Sequence, residues 1–453
     1  MNRSTATAQT LDILLPNRLR LVAVVDQSAP VVEIRLSVPL PGVGAEHAAL
    51  AQVLGDVLLR PAAEVPLARR EAWAAADLGC GRDLDRLGVF GYTASDSLGH
   101  VLHDIAGFVA RPEYTDSSVL DARRRLASQV AIGRADARRT ALAALRLRRC
   151  PAHAVPWDLP APEALSQVEP DAVRALQNVL IRPEGSALVI VGDFPPKETV
   201  DLVERVFADW QGSSCAETVP SAAVLPPAPD DIVLVHRPRS AQAELVMTGT
   251  APHRGDIERP AYDIANAVLG GGVGSRLSGN LRERKGYAYL AASAVEVMAG
   301  RPTCIVRLAA AEPSAAAALA ETRSELAALA DRPPGQEEIA HAKQLLAGRV
   351  ITSTASAASR ATLLANLTAE GVDPAWCDTY GRHLSTVGAE DVAAAARTLF
   401  APAGFDTAIV GDADVLAASL EEITGLTVRR YERLEDVAPV TPQPSVPPQQ
   451  EIP

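Results

Sequence analysis

The sequence predicts an α+β protein of two duplicated domains, each an antiparallel sheet covered by helices. Three observations carry that expectation: an ungapped internal match at half-chain spacing, period-two β-branched segments opening each half, and Ala-rich helical patterns between them. The match sets EPDAVRALQNVLIRPEGSALVIVGD (Glu169 to Asp193) over GAEDVAAAARTLFAPAGFDTAIVGD (Gly388 to Asp412) at a constant offset of 219. Val173 meets Val392, Leu180 meets Leu399, Pro183 meets Pro402, and each copy ends in Val-Gly-Asp.

Along the chain, Leu11 to Pro41 (LDILLP, RLRLVAVV, VVEIRLSVPL) read as a β-hairpin, and a helix follows from about Ala45 to Arg60. Helical patterns recur at Leu67 to Ala76, Leu98 to Ala110, Ser117 to Leu147 and Pro170 to Leu180 before the strand ALVIVGD. Residues 213–230, rich in Pro, Ala and Ser without an amphipathic period, read as a linker between domains at 1–212 and 231–436. Beyond it the order restarts: strands DIVLVH and AELVMTGTA, a helix at Arg259 to Leu269, a Gly-rich turn, a second helix, strands, and helices at Ser314 to Ala330 and Gln336 to Gly348. Residues 437–453 form a Pro/Gln-rich tail expected to be disordered.

Bulk properties exclude several function classes. At 453 residues the chain exceeds one ordinary core, and 48% hydrophobic with 22% charged residues is a globular composition. A net charge of −12 opposes nucleic acid and anionic membrane surfaces, so neither is an expected partner. No apolar run reaches the length of a membrane span, and the polar start Met1 to Thr10 lacks a secretory pattern, so the expected location is cytoplasmic. The five cysteines (Cys80, Cys150, Cys215, Cys304, Cys377) are scattered without Cys-x-x-Cys, which argues against a disulfide framework or a thiolate zinc site.

The most specific segment is VLGGGVGSRLSGNLRERKGYAYLAASAV (Val268 to Val295). Gly270, Gly271, Gly272 and Gly274 make a backbone-exposed turn whose N–H groups suit an acceptor, and a helix follows. A tight helix-to-helix turn is the plain alternative. The full string resembles LGGGxSSRLxxxLREKRGLAYS of the insulinase and pitrilysin family: the three glycines, Ser275-Arg276-Leu277, Leu281-Arg282-Glu283, Gly286 and Ala288-Tyr289 all match. The opening strands and paired Val-Gly-Asp strands resemble that family's domains too. The resemblance implies two processing-peptidase-type domains forming half of a clamshell, with Arg282 and Tyr289 holding the substrate backbone and Gly270 to Gly274 and Ser275 lining it. Both side chains are hydrogen-bond donors suited to peptide carbonyls. For Arg282 alone, a surface ion pair with Glu283 or Glu296 is the alternative.

The family's catalytic motif is the inverted signature H-x-x-E-H on the first long helix, two His binding Zn²⁺ and a Glu activating its water. Here that helix reads ALAQVLGDVLL: Gln52 and Asp56 stand at the ligand positions and Gly55 at that of the base. The third ligand, a Glu in the family, falls near Ser128 and Gln129. No metal is therefore expected in this chain, and zinc is expected in a homologous H-x-x-E-H partner subunit that this chain joins to cleave peptides, leader or precursor peptides among them. A proteolytically inactive structural or assembly paralogue and a stand-alone peptide-binding protein are the rival readings.

Two weaker features remain. His100 and His103, with Asp104, lack an evident third ligand and read as an exposed helix face. The Arg-rich stretch 117–149 reads as a solvated helix face, or alternatively as a positive wall for acidic peptides.

Overall fold

The computed structural model describes residues 10–40, 47–59, 76–82, 86–110, 114–150, 159–212, 229, 231–298, 300–401 and 404–437. The linker apart from residue 229, the tail beyond residue 437, Cys215 and nearly all of the expected helix at 67–76 lie outside these residues.

The first half runs β1 (Thr10–Leu14), β2 (Arg20–Val25), β3 (Val31–Pro39), α1 (Ala48–Leu59), β4 (Gly79–Arg82), β5 (Arg86–Ala94), α2 (Leu98–Ala110), α3 (Asp116–Ala135), α4 (Ala137–Arg149), α5 (Pro162–Ser166), α6 (Pro170–Leu180), β6 (Ala187–Gly192) and α7 (Pro196–Val206). The second runs β7 (Asp231–His236), β8 (Gln242–Thr250), α8 (Arg259–Gly270), β9 (Ala288–Met298), β10 (Arg301–Ala311), α9 (Glu312–Asp331), α10 (Gln336–Thr354), α11 (Ala357–Ala369), α12 (Trp376–Thr386), α13 (Ala389–Leu399), β11 (Asp406–Gly411), α14 (Ala413–Thr424) and β12 (Thr427–Tyr431).

The two six-stranded sheets repeat one order, β1-β2-β6-β3-β5-β4 and β12-β7-β11-β8-β10-β9. Two corrections to the sequence reading follow. The sheets are mixed, because β6 runs parallel to β2, and β11 and β12 run parallel to β7. The opening hairpin is β1 with β2 alone, since β6 inserts between β2 and β3. Central strands ALVIVG and DTAIVG are buried at every position, as strands covered on both faces must be.

One face of each sheet packs on its own half's helices. The opposite faces are covered by exchange. Ala141, Ala144 and Leu145 of α4 pack on Val233, Val235, Val246 and Val410 of the second sheet. Ala361 and Leu364 of α11 pack on Val22, Val24, Val189 and Val191 of the first. These helices are thirteen residues each, begin 220 positions apart, and start from side-chain N-caps, Asp136 and Ser356. Arg148 meets Asp231 at 3.0 Å, and Arg149 meets the fully buried Asp406 at 3.2 Å. Reciprocally, Arg35 donates to the Ala358 carbonyl (3.3 Å) and Arg86 to that of Ala369 (2.5 Å), at the two ends of α11.

The Arg-rich stretch keeps Arg124, Arg138 and Arg139 exposed, as a solvated face would, and departs from that reading toward its C-terminal end. It breaks at Asp136 into two helices, and Arg146, Arg148 and Arg149 are buried between the halves. Amphipathic periodicity marks one buried face; α4 leaves Arg138 and Arg139 exposed near its start and buries Arg148 and Arg149 near its end against acids that lie far away in sequence.

Candidate functional site

The glycine-rich segment links α8 to the edge strand β9 of the second sheet. A Cβ on Gly270 would lie 2.4 Å from the Ser293 amide nitrogen, and one on Gly271 would lie 2.6 Å from the Ala267 Cα. Gly270 lets α8 approach β9, and Gly271 lets the chain turn tightly over Ala267 at the end of α8. Gly272 sits against Leu345 of α10, where a Cβ would lie 3.1 Å from the Leu345 Cδ2, and Gly274 adopts φ +85°, the left-handed turn. Arg349 of α10 donates to the Gly271 carbonyl. At the tip Val273 is 86% exposed, whereas Ser275 is buried and its hydroxyl has no hydrogen-bond partner.

The helix after the turn is wound as a π-helix over Ser278–Arg284, with the Lys285 amide donating to the Asn280 carbonyl at 3.0 Å. Such windings are rare and frequent at functional sites. Its inner side is pinned: Asn280 donates to Glu321 and Glu325 at 2.6 Å each, Lys285 meets Glu321 at 2.5 Å, and Arg276 grips Glu338 at 2.7 and 2.9 Å. The Lys285 and Asn280 hydrogen bonds hold the Glu321 carboxyl below the usual carboxylate range, and the Arg276 hydrogen bond does so for Glu338.

The outer side is left unspent. Arg282 is exposed, and among the described residues it has no hydrogen-bond or ion-pair partner. Glu296 is taken by Arg307 at 2.8 and 2.6 Å, so it is not the mate of Arg282. Seven residues on, Tyr289 is 61% exposed. It sits in a β-bulge: Ala288 pairs with Ala310 and Leu290 with Ala309, so Tyr289 has no partner across the ladder. A bulge at a sheet edge re-aims its side chain. Two donors are thus held on a braced turn and an open edge. Sequence reasoning finds both residues, while the π-winding and the bulge have no local signature.

On α1, Gln52 is 2% exposed, Gly55 is buried, and the Asp56 carboxylate lies 2.5 Å from the Arg125 guanidinium of α3. Ser128 and Gln129 are exposed on α3. This set does not fit zinc: an amide, a missing side chain and a carboxylate already neutralised by a cation offer no tetrahedral donor group. Arg125 belongs to the Arg-rich stretch, and nothing local in the sequence ties it to a position 69 residues earlier.

Two further clusters carry ligand-type side chains. His100 and His103 are exposed on α2. Among the described residues, His236, Asp412 and Asp414 bring ligand-type atoms together, but Asp412 caps α14 through the Asp414 amide (3.1 Å), Asp414 pairs with Arg430 (2.5 Å), and the Ala413 amide donates to His236 Nδ1 (3.1 Å).

Residues 167–346 match the family model described as the peptidase M16 inactive domain. The fold is that of the M16 peptidases. A peptidase M16 inactive domain from Pseudomonas fluorescens superposes with a TM-score of 0.77 at 18% identity, covering 89% of this chain and 98% of that one. A protease from Helicobacter pylori gives 0.78 at 14% identity, covering 89% and 99%. A chain of complex III2 from Candida albicans gives 0.71 at 14% identity, covering 95% and 100%. No curated protein matches the sequence. At these identities the M16 likeness carries the fold. The inactive-domain match lies within residues 167–346 and does not reach α1.

Proposed function

We propose that this chain is the substrate-binding subunit of a two-chain zinc metallopeptidase, active only beside a homologous partner that supplies the H-x-x-E-H metal site. The observation that carries the reading is the unpaired state of Arg282, together with Tyr289 in its bulge. A segment that spends Asn280, Lys285 and Arg276 on bracing leaves Arg282 and Tyr289 without a hydrogen-bond or ion-pair partner among the described residues.

In this reading an extended peptide lies against the open end of β9. Arg282 and the Tyr289 phenol donate to its carbonyls, and the loop from Gly270 to Ser275 borders it. The chain thereby positions the peptide, while the partner's zinc supplies the hydrolytic water. Unfolded peptides, leader or precursor segments among them, are the substrate class, and the setting is cytoplasmic. The test is co-expression with an H-x-x-E-H chain encoded beside it: a stoichiometric complex that cleaves peptides supports the reading, and failure to pair with any zinc peptidase removes it.

A structural paralogue is the second reading. It is favoured by the full-length likeness to a chain of complex III2 from Candida albicans. Recovery of this chain in a large assembly without a zinc peptidase would select it.

A further inference from the structure

A cavity of about 340 Å³ opens at the junction of the two halves and shares no residue with α1 or the glycine-rich segment. Arg134 and Glu163 reach it from the first half, and His236, Arg237, Arg433 and Glu435 from the second. Ligand sites favour such interdomain clefts, and the volume suits a small molecule.

The polar groups in it are unevenly spent. The acids are unequally engaged: Glu435 pairs with Arg134 and lies 3.5 Å from Arg433, Glu432 pairs with Arg430 at 2.6 Å, while Glu163 is largely exposed and comes only within 4.0 Å of Arg433. Both terminal nitrogens of Arg237 serve carbonyls, those of Ala135 (2.7 Å) and Arg134 (2.9 Å). Arg134 Nη1, however, is buried without a hydrogen-bond partner. His236 Nδ1 accepts from the Ala413 amide, which leaves the ring proton on Nε2 as a second donor. Burial, and then the like charge of Arg433, lowers the pKa of Arg134, a desolvation cost that an incoming anion relieves.

The lining holds three Arg and three Glu, so a dianion meets as much repulsion as attraction, while a zwitterion is matched at both ends. We propose that this junction cavity binds a free amino acid or short peptide, its α-carboxylate held by Arg134 Nη1 and its ammonium facing Glu163 and Glu435. The site stands whether or not the chain serves a peptidase.

The test is calorimetric titration of the full chain with Ala-Ala, its C-terminal amide and inorganic phosphate, repeated on Arg134→Gln. Ala-Ala is expected to bind, with the amide and the variant each weaker by about tenfold or more, the loss of one charge-assisted hydrogen bond. Equal binding of the amide, phosphate binding as tightly as Ala-Ala, an unaffected variant, or no binding at millimolar Ala-Ala would overturn it. Should the variant fail to fold, hydrogen exchange on the unmodified chain decides: Ala-Ala must protect residues 134–140 and 432–437, and absence of protection there ends the proposal.

Discussion

The Asp56 carboxylate lies 2.5 Å from the Arg125 guanidinium, so a cation from α3 neutralises the acid that α1 retains. Asp56 is nearly buried and Arg125 partly exposed, so screening trims the pair's worth. Replacing Arg125 by Gln should cost about 1–2 kcal/mol in urea unfolding, chiefly by leaving a buried carboxylate short of charge. An unchanged midpoint would show the pair to be incidental.

The buried exchange between the halves makes a larger claim. Asp406 is fully buried beside Arg149, and removing one member of such a pair leaves an uncompensated charge. Asp406→Asn should destabilise by about 3–5 kcal/mol. Because α4 covers the second sheet and α11 the first, both halves should melt together in the native chain by calorimetry. Two separate native transitions would contradict this.

At the glycine-rich turn, Gly270→Ala places a methyl 2.4 Å from the Ser293 amide nitrogen, a contact that α8 and β9 relieve only by moving apart. A loss of about 1–3 kcal/mol is expected. Gly279→Ala, with open space around it, should be silent, and equal effects of the two would remove the packing explanation.

Acid should loosen the same region. Glu338 and Glu321 have folded-state pKa values below the unfolded range, so their stabilisation is present above about pH 4.3 and is lost as pH falls through the folded values. Both are partly exposed, so the effect is modest and local. Protection against hydrogen exchange at 276–285, corrected for the intrinsic rate, should fall below about pH 4 ahead of global unfolding. Uniform exchange across the molecule would contradict it.

Much of this molecule is readable from its residues, for identifiable reasons. The duplication shows because β6 and β11 are buried on both faces, which constrains ALVIVGD and DTAIVGD at every position. The Arg282 and Tyr289 positions show because a motif fixes their spacing. Parallel pairing of β2 with β6 does not show, since the partner strand lies more than 160 residues away and no turn announces it. The exchange of α4 and α11 is hidden as well: Arg148 and Arg149 resemble surface residues until Asp231 and Asp406 are brought to them. The same is true of Arg125, whose meaning comes from a helix distant in sequence.

The most direct measurement is peptide cleavage by this chain alone, by its H-x-x-E-H partner alone, by the two together, and by the partner with Arg282→Ala. Cleavage is expected only from the pair, and Arg282→Ala should leave assembly intact while lowering turnover by about 10²–10³, the worth of one lost carbonyl donor, about 2.7–4 kcal/mol. Cleavage by this chain unaided, or full turnover by the assembled Arg282→Ala complex, would contradict a gripping subunit that borrows its metal.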